Sequence, residues 1–381
     1  MPGLLPNVDP DGLLEYSVVY TDRSLNHMSR AFQEVMTDIS GTLQRVYGAA
    51  AVAVVPGSGT FGMEAVARQL ATGQRCLVVR NGWFSFRWTQ ILEAGGIASA
   101  HTVLKARRVS GDPQAPFTPA PIEEVVAAIE AERPAVVFAP HVETSAGMIL
   151  PDGYLQRIGE AVHAVGGLFV LDCIASGALW VDMAACGVDV LISAPQKGWT
   201  GTPCCALVML SERARGRVAE TTSTSFACNL GTWLQIMEAY EKGGHAYHAT
   251  MPTDGLRVFR DVMLETEAFG LERARERQLE LGRRVRDALV RAGFPSVSAE
   301  GYQAPGVVVS YTDDDAVRTG RAFAEQGLQI AAGVPLRCDE GDHFKTFRIG
   351  LFGLDKLKDV DRTVATFEAA LERVAASRSG V

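Results

Sequence analysis

The sequence predicts an α/β protein with a largely parallel sheet, because short apolar runs alternate with helix-like segments between about residues 50 and 210. The runs are rich in Val, Ile, Leu and Ala and lack polar alternation, which is typical of strands buried on both faces. The candidate strands are Ala50–Val55, Cys76–Val79, Ala135–Ala139, Leu168–Leu171, Val188–Ile192 and Cys205–Met209. The helices predicted between them are Phe61–Ala71, Ile122–Ala131 and Leu155–Val165.

After about residue 255 the pattern changes to long, charged helical segments over 256–289. The elements predicted beyond them are a strand at Val307–Tyr311, a helix at Asp314–Gln326, strands at Leu328–Ala331 and Phe344–Ile349, and a final helix at Leu357–Ala375. This order indicates a smaller α+β domain. We therefore expect an N-terminal segment over 1–25, a large domain over 26–269 and a small C-terminal domain over 270–381.

The composition of the 381-residue chain is that of an ordinary soluble globular protein, with 47% hydrophobic and 21% charged residues. A net charge of -8 argues against nucleic acid as a partner, and no apolar run is long enough to span a membrane. The seven cysteines are odd in number and lie mostly in apolar runs. That pattern is typical of reduced thiols, so we expect a cytoplasmic location, and it predicts no metal site.

Lys197 carries the most information about function. It follows the apolar run 189–192 and a proline-containing turn, and 25 residues earlier Asp172 ends the run 168–171. Neighbouring parallel strands end at the same edge of a sheet, so we expect the amine and the carboxylate to lie close together. The amine can form a Schiff base, and the carboxylate can keep a pyridine nitrogen protonated, which suits pyridoxal phosphate (PLP). A surface lysine and a turn-capping aspartate are the plain alternatives.

The segment Gly57-Ser58-Gly59-Thr60 follows a predicted strand and opens a predicted helix. Glycines allow close backbone approach, and free N–H groups at a helix N-terminus attract anions. The segment is therefore a candidate phosphate cradle. A strand-to-helix turn with Ser58 or Thr60 as the N-cap explains the same residues.

Two other turns supply candidate side chains beyond predicted strands. Phe84 follows the strand 76–79, where its ring can stack on a flat cofactor or simply pack in the core. Thr144 follows the strand 135–139 and can donate a hydrogen bond to a ring substituent, whereas His141 and Glu143 can satisfy turn backbone groups.

Arg348 lies inside an otherwise apolar predicted strand of the small domain. A charged group in such a place needs a partner. Its planar guanidinium matches a substrate carboxylate in bidentate fashion, although an internal ion pair with Asp or Glu explains it equally well.

These segments together resemble class V aminotransferases of PLP fold type I, and among them the alanine–glyoxylate/serine–pyruvate aminotransferase group. The resemblance runs from about Asn26 to the C-terminus and is carried by Gly57-Ser58-Gly59-Thr60, Asn81-Gly82-Trp83-Phe84, Leu171-Asp172, Ser193-Ala194-Pro195-Gln196-Lys197 and Phe347-Arg348-Ile349-Gly350-Leu351-Phe352-Gly353. It implies a mostly parallel seven-stranded sheet flanked by helices. It also implies ping-pong transfer of an amino group from an alanine- or serine-like donor to a small 2-oxo acid such as glyoxylate or pyruvate.

By this resemblance, Lys197 binds PLP covalently and then transfers protons, Asp172 contacts the pyridine nitrogen and Arg348 binds the substrate α-carboxylate. The other implied cofactor contacts are Phe84 and Ile174 on the two ring faces, Thr144 at the phenolate oxygen, and Ser58, Gly59, Thr60 and Gln196 at the phosphate. Tyr247 and Thr250 match positions that reach the phosphate from a neighbouring subunit, which implies a homodimer with shared active sites.

The N-terminus departs from the family pattern. Members usually begin with a Gly-Pro-Gly-Pro-like turn that lines the substrate pocket, whereas this chain has Tyr20, Thr21 and Arg23 before Asn26. Larger side chains therefore replace small ones there, and the substrate can differ from alanine or serine.

Two other functions compete with amino transfer. One is a PLP-dependent lyase resembling cysteine desulfurases or aldolases. Desulfurases carry a His-Lys pair and a mobile catalytic Cys, where this chain has Gln196 before the lysine and Cys338 in a polar segment. Cys338 is expected to be an ordinary surface cysteine instead. The other is a non-catalytic PLP sensor, which the non-basic first fifty residues disfavour.

Overall fold

The computed structural model describes residues 8–379. Its strands are β1 (Ala51–Pro56), β2 (Arg75–Arg80), β3 (Ala100–Lys105), β4 (Arg107–Arg108), β5 (Phe117–Thr118), β6 (Val136–Pro140), β7 (Val142–Glu143), β8 (Met148–Ile149), β9 (Leu168–Asp172), β10 (Val190–Ser193), β11 (Cys205–Leu210), β12 (Val307–Tyr311), β13 (Ala331–Ala332) and β14 (Thr346–Gly350). Its helices are α1 (Arg30–Tyr47), α2 (Gly59–Leu70), α3 (Trp83–Ala94), α4 (Ile122–Glu132), α5 (Asp152–Ala164), α6 (Glu212–Glu220), α7 (Leu230–Glu241), α8 (Thr253–Phe269), α9 (Leu271–Arg291), α10 (Asp315–Arg318), α11 (Arg321–Ala324), α12 (Leu354–Leu357) and α13 (Val360–Ser379).

A seven-stranded, mostly parallel sheet forms the centre of the molecule, in the order β1-β11-β10-β9-β6-β2-β3. Only β11 runs against its neighbours, β1 and β10. The residues of β6, β9, β10 and β11 are buried throughout, as the unbroken apolar runs predict. The predicted mixed α/β fold with this sheet is confirmed.

Strand β3 is the sheet strand that the apolar runs do not reveal. It is an edge strand that pairs only with β2, and its residues are half-buried or exposed. β1, the other edge strand, is covered by α1 and α7 and is buried, whereas the partly exposed β3 lacks the continuous apolar run by which the other six are found.

The flanking helices are held by ordinary caps and apolar faces, as α1 illustrates. Ser29 is its N-cap, and the Ser29 hydroxyl accepts a hydrogen bond from Phe32 N at 3.2 Å. Gly48 ends the helix in the left-handed region with φ 66°. The buried face includes Phe32, Ile39 and Leu43, each contributing about 2 kcal/mol by leaving water.

A second, three-stranded antiparallel sheet in the order β12-β14-β13 lies in the C-terminal part of the chain. The strand predicted at 328–331 is only the two-residue β13, and the helix predicted over 314–326 is split into α10 and α11. Gly320 lies between these two helices with φ 83°, a conformation that an α-helix cannot continue through.

The long charged segment is likewise two helices. Gly270, with φ 101°, is the single residue between α8 and α9. α8 packs on α1, whereas α9 packs on β12 and α13. The domain boundary that we place at 269/270 falls at this break. None of the described helices combines the length and apolarity needed to cross a bilayer.

Candidate active site

Asp172, the Lys197 turn and the loop 57–58 lie at one edge of the central sheet. Asp172 ends β9, and Ile192 of the adjacent strand β10 pairs with it, so the turn that carries Lys197 begins beside the carboxylate. β1 runs in the same direction as β10, because β11 between them is antiparallel to both. The loop 57–58 therefore emerges at the same edge.

Two aromatic rings flank the Lys197 amine. Its Nζ is 5.9 Å from the centre of the Phe84 ring and 5.3 Å from that of Phe352. Phe84 lies in the first turn of α3, and Phe352 follows β14. A partly buried amine between apolar rings loses hydration, which favours its neutral form.

Electrostatics lower the pKa of the Lys197 amine. Burial is the largest cause, the Asp172 carboxylate opposes it, and the guanidinium of Arg348 adds to the lowering. A lysine with a lowered pKa is neutral for more of the time near pH 7, and a neutral amine is the form that attacks carbonyls and accepts protons.

The pKa of Asp172 is shifted in the opposite direction, upward. The pKa of its carboxyl is raised from 3.8 to about 6: burial is the largest cause and Glu143 adds to it, whereas a hydrogen bond from Ile174 N and the charges of Lys197 and Arg87 act in the opposite direction. The Ile174 N–H donates to Asp172 Oδ1 at 2.9 Å. A buried carboxyl of this kind is stabilised by any cation placed against it.

The raised pKa predicts how stability depends on pH in the cofactor-free protein. Between pH 3.8 and about 6 the native state binds more protons at Asp172 than the unfolded state does. The stability of the wild type relative to Asp172→Asn should therefore fall by about 2 kcal/mol as pH rises through this window. Urea unfolding of both proteins at pH 4 and pH 7 measures this, and equal pH dependence would contradict it.

Gly198 fixes the position of the lysine turn. A Cβ at residue 198 would lie 2.1 Å from the carbonyl oxygen of Gly177 and 2.7 Å from its carbonyl carbon. Both are backbone atoms and cannot rotate away. The turn after Lys197 therefore requires glycine for reasons of space.

We expect Gly198→Ala to displace the lysine turn, lowering the unfolding free energy by about 1–3 kcal/mol through overpacking. It should also weaken PLP binding at least about tenfold, since a small displacement at a site is costly. Gly216→Ala is the matched control, because no atom lies within 4 Å of its Cβ position. Thermal unfolding and cofactor titration of both variants test this, and equal behaviour would show that the close approach is unimportant.

The loop before α2 has the geometry of an anion cradle. Ser58 is the N-cap residue, but its side chain makes no capping hydrogen bond. Gly57 N donates to Cys204 O at 2.9 Å, which ties the loop to the start of β11. A Cβ on Gly59 would lie 2.4 Å from Ile174 Cδ1, so Ile174 and this loop meet directly. The hydroxyl of Ser58 and the helix N-terminus remain available to an anion.

Arg87 belongs to this site although no motif indicated it. Its Nη1 donates to Thr60 Oγ1 at 2.9 Å, and its guanidinium is 5.3 Å from the Phe84 ring centre. Arg87 lies on α3 one turn after Phe84, so helical spacing from Phe84 is the signal that would have found it. It adds a positive charge next to the candidate phosphate cradle.

The positions of Gln196 and Thr144 are compatible with contacts to a bound cofactor. Gln196 Oε1 is buried and has no hydrogen-bond partner among the described residues. Thr144 is buried in the turn between β7 and β8. A buried amide oxygen without a donor is costly unless a ligand supplies one.

Glu143 holds the start of α3 in place. Its buried carboxylate accepts five hydrogen bonds, from Phe84 N, Ser85 N, Ser85 Oγ, Ser145 N and Ser145 Oγ. A carboxylate at a helix N-terminus satisfies free N–H groups and the helix dipole. Glu143 therefore satisfies backbone groups of the turn and of the helix, as its position after a predicted strand suggests.

Arg348 reaches the site from the second sheet. Its guanidinium carbon is 5.7 Å from the Phe84 ring centre, and its Nε–H donates to Ala332 O at 2.8 Å. Burial lowers its pKa, and Glu143 is the acid that opposes this. No carboxylate within residues 8–379 forms an ion pair with it. The internal ion pair considered from the sequence is therefore absent from the described part of the chain.

Tyr247 and Thr250 lie apart from this group of residues. Tyr247 is 54% exposed, its hydroxyl is 3.2 Å from Thr250 Oγ1, and its ring is 5.6 Å from the His27 ring. Tyr20 lies in the same region, where its hydroxyl donates to Met251 O at 3.1 Å. The atypical N-terminal segment is therefore tied to the exposed loop for which a contact with a neighbouring subunit is expected.

Cys338 does not fit the role of a mobile surface thiol. It is only 4% exposed, and its Sγ is 3.5 Å from Arg80 O. Burial raises the pKa of this thiol well above its usual value, which suppresses the reactive thiolate. The expectation of an ordinary surface cysteine is wrong, because the polar residues around it point outward while the thiol packs inward. All seven cysteines are buried and unpaired.

The chain is similar over most of its length to known aminotransferases. It is 27% identical to an alanine–glyoxylate aminotransferase of Oryctolagus cuniculus (93% of this chain, 88% of the relative). It is 30% identical to a 2-aminoethylphosphonate–pyruvate transaminase of Syntrophobacter fumaroxidans (84% and 82%). The crystal structure of an alanine–glyoxylate aminotransferase from Nostoc sp. shares the fold with TM-score 0.77 and 24% identity (91% and 88%). The family model for class V aminotransferases matches residues 13–362, and the chain belongs to that family.

Proposed function

We propose that this protein is a PLP-dependent aminotransferase that moves an amino group from an alanine- or serine-like amino acid to a small 2-oxo acid such as glyoxylate or pyruvate. The observation that carries the proposal is that two cations, Lys197 and Arg348, lie beside one aromatic ring, and that the lysine follows the strand paired with Asp172. The Lys197 amine and the Arg348 guanidinium lie beside Phe84, and Asp172 is close enough to alter the pKa of the lysine.

The residues at the sheet edge fit PLP in charge and in chemistry. Arg87 and the α2 N-terminus suit its phosphate, Gln196 has an unused buried acceptor, and the buried Asp172 suits a protonated ring nitrogen. Phe84 and Ile174 supply apolar surface for its two ring faces. When bound, PLP supplies an electron-withdrawing ring that acidifies the substrate Cα–H.

Each protein group then has a separate task. Asp172 would hold the ring nitrogen of bound PLP protonated, and the Lys197 amine, with its lowered pKa, would accept the substrate Cα proton and carry it for delivery to the cofactor. Arg348 orients the substrate through its α-carboxylate. Phe84 and Phe352 exclude water from the lysine amine.

The size of the relatives' substrates supports a small donor and a small acceptor. Their names specify alanine with glyoxylate, and 2-aminoethylphosphonate with pyruvate. We further propose a homodimer in which Tyr247 and Thr250 reach the phosphate of the neighbouring subunit. Both side chains are exposed and contact each other rather than the residues around Lys197, which supports this arrangement.

A half-reaction screen tests the proposed function. The PLP-loaded protein is mixed with each of the twenty common amino acids and with 2-aminoethylphosphonate, and conversion of the bound cofactor to its amine form is followed by absorbance. We expect alanine or serine to convert it, and glyoxylate or pyruvate to restore it. Release of sulfide from cysteine without cofactor conversion would instead support the lyase alternative.

Two substitutions of Arg348, the candidate carboxylate-binding residue, are expected to raise KM for the amino donor to different extents. Arg348→Gln should raise KM for the amino donor about 10- to 100-fold, because one charge-assisted bidentate contact is lost. Arg348→Lys keeps the charge without the planar fork, so an intermediate KM is expected. Steady-state kinetics on purified, PLP-loaded proteins measure this, and an unchanged KM in Arg348→Gln would remove Arg348 from the site.

A further inference from the structure

A cleft of about 690 Å³ lies between α3 and the loop 333–342, outside the group of residues around Lys197. Arg80, Phe86 and Lys105 line it from the central sheet and α3, and Arg337 and Thr346 line it from the loop and β14. Gly333, which also lines it, follows Ala332, the residue that anchors Arg348. The cleft therefore adjoins the proposed substrate site on the Arg348 side.

Two guanidinium groups in this cleft have no acidic partner. The guanidinium carbons of Arg80 and Arg337 are 4.6 and 5.8 Å from the centre of the same Phe86 ring, and Arg337 is also 5.3 Å from the Trp83 ring centre. Neither forms an ion pair with any carboxylate in residues 8–379. Stacking on aromatic faces orients both cations but gives neither of them a carboxylate partner.

The acidic residues of the cleft do not pair with Arg80 or Arg337. Both carboxylate oxygens of Asp339 accept hydrogen bonds from Lys105 Nζ, at 2.8 and 2.9 Å. The Glu340 carboxylate accepts from three successive backbone N–H groups, those of residues 336, 337 and 338. Asp342 is exposed in the turn that follows. The cation Arg318 is similarly engaged, with Asp315. None of these carboxylates forms an ion pair with Arg80 or Arg337, so both guanidinium groups can still accept an anion as a direct partner.

Buried polar atoms without partners line the same space. Arg80 is 7% exposed; two of its nitrogens bond to Thr89 Oγ1 and Arg337 O, but its Nε is buried without a partner. Thr346 is 2% exposed, and its Oγ1 is also unpartnered. Burial lowers the pKa of Arg80, so the described groups do not fully offset its desolvation. Such groups are stabilised by an anion that accepts their hydrogen bonds.

We propose that this cleft is a second anion site, which binds a phosphate-like oxyanion between the guanidinium groups of Arg80 and Arg337, with the Thr346 hydroxyl nearby. The same chemistry fits free inorganic phosphate and the distal phosphonate or carboxylate of a longer amino donor. The site is separate from the proposed Arg348 contact to the substrate α-carboxylate. Binding of a donor's distal group there rests on the proposed function, whereas binding of free phosphate does not.

Calorimetric titration of inorganic phosphate into the PLP-loaded protein, at constant ionic strength, tests the site. PLP occupies the α2 cradle in this form, so phosphate cannot bind there. Arg337→Gln should weaken phosphate binding at least tenfold, the loss expected for one charge-assisted contact. Arg337 is exposed, so this variant is expected to fold normally. Arg283→Gln, an equal change of charge on the exposed face of α9, is the control and should bind phosphate like the wild type.

Two outcomes would overturn the proposal. One is the absence of saturable phosphate binding at millimolar concentrations. The other is binding that survives Arg337→Gln but is lost in Arg348→Gln, which would place the phosphate at the substrate carboxylate contact instead.

Competition kinetics then identify the source of the anion. If phosphate raises KM for 2-aminoethylphosphonate but not for alanine, the cleft receives the distal end of the donor. If phosphate binds and changes neither KM, the cleft holds a free anion. Either result, combined with weakened binding in Arg337→Gln, supports the site.

Discussion

Lys197→Ala should abolish amino transfer. The half-reaction with saturating alanine is expected to slow by at least about 10³-fold, because the variant loses both the covalent attachment of the cofactor and the base that moves the Cα proton. The absorbance band of the bound cofactor should change as well, since the link to the ε-amine no longer exists. Stopped-flow absorbance on the PLP-loaded variant measures both effects.

Controls separate this chemical role from a structural one. Lys242→Ala removes an exposed lysine at the end of α7 and should leave the half-reaction unchanged. Addition of a small primary amine to Lys197→Ala should restore part of the rate, because the amine can act as the missing base. A half-reaction of normal rate in Lys197→Ala would refute the assigned role.

Asp172→Asn is expected to have the next largest effect, slowing the half-reaction about 10²- to 10³-fold. The amide has nearly the same shape and can still accept the hydrogen bond from Ile174 N, so the fold around it should persist. It carries no charge, however, and cannot stabilise a protonated ring nitrogen in a buried place. Single-turnover rates at saturating donor measure the effect.

Asp172→Glu provides the matched comparison, since it keeps the charge but lengthens the side chain. An intermediate rate is expected for this variant. If Asp172→Asn bound PLP and reacted within threefold of the wild-type rate, the carboxylate would have no role in controlling the ring proton.

The sequence predicted the residues that follow buried strands. Lys197, Asp172 and the loop 57–60 were predicted to share one sheet edge because unbroken apolar runs mark buried strands, and the ends of parallel strands converge at one edge. β3 escaped because its residues are partly exposed and form no such run. The sequence placed Arg348 in a strand but could not identify the partner of its charge, because a linear pattern does not show which charged groups are close in space.

Residues that act through tertiary contacts were the ones that sequence reasoning missed. Arg87 is one of many arginines with helical spacing, and only the folded chain brings it to Thr60. Cys338 was misplaced because burial depends on the path of its loop, not on its polar neighbours in sequence. The cleft that contains Arg80 and Arg337 joins segments more than 250 residues apart, as their hydrogen bond shows.

The five hydrogen bonds to Glu143 have a consequence for engineering. Phe84 and Arg87 are carried by the first two turns of α3, and this one carboxylate sets the direction in which that helix leaves the sheet. Libraries that enlarge the pocket for bulkier donors can therefore vary the ring at position 84 while retaining its backbone frame. Libraries that randomise position 143 will mostly sample tilted helices, and most of their members will be inactive whatever side chain stands at 84.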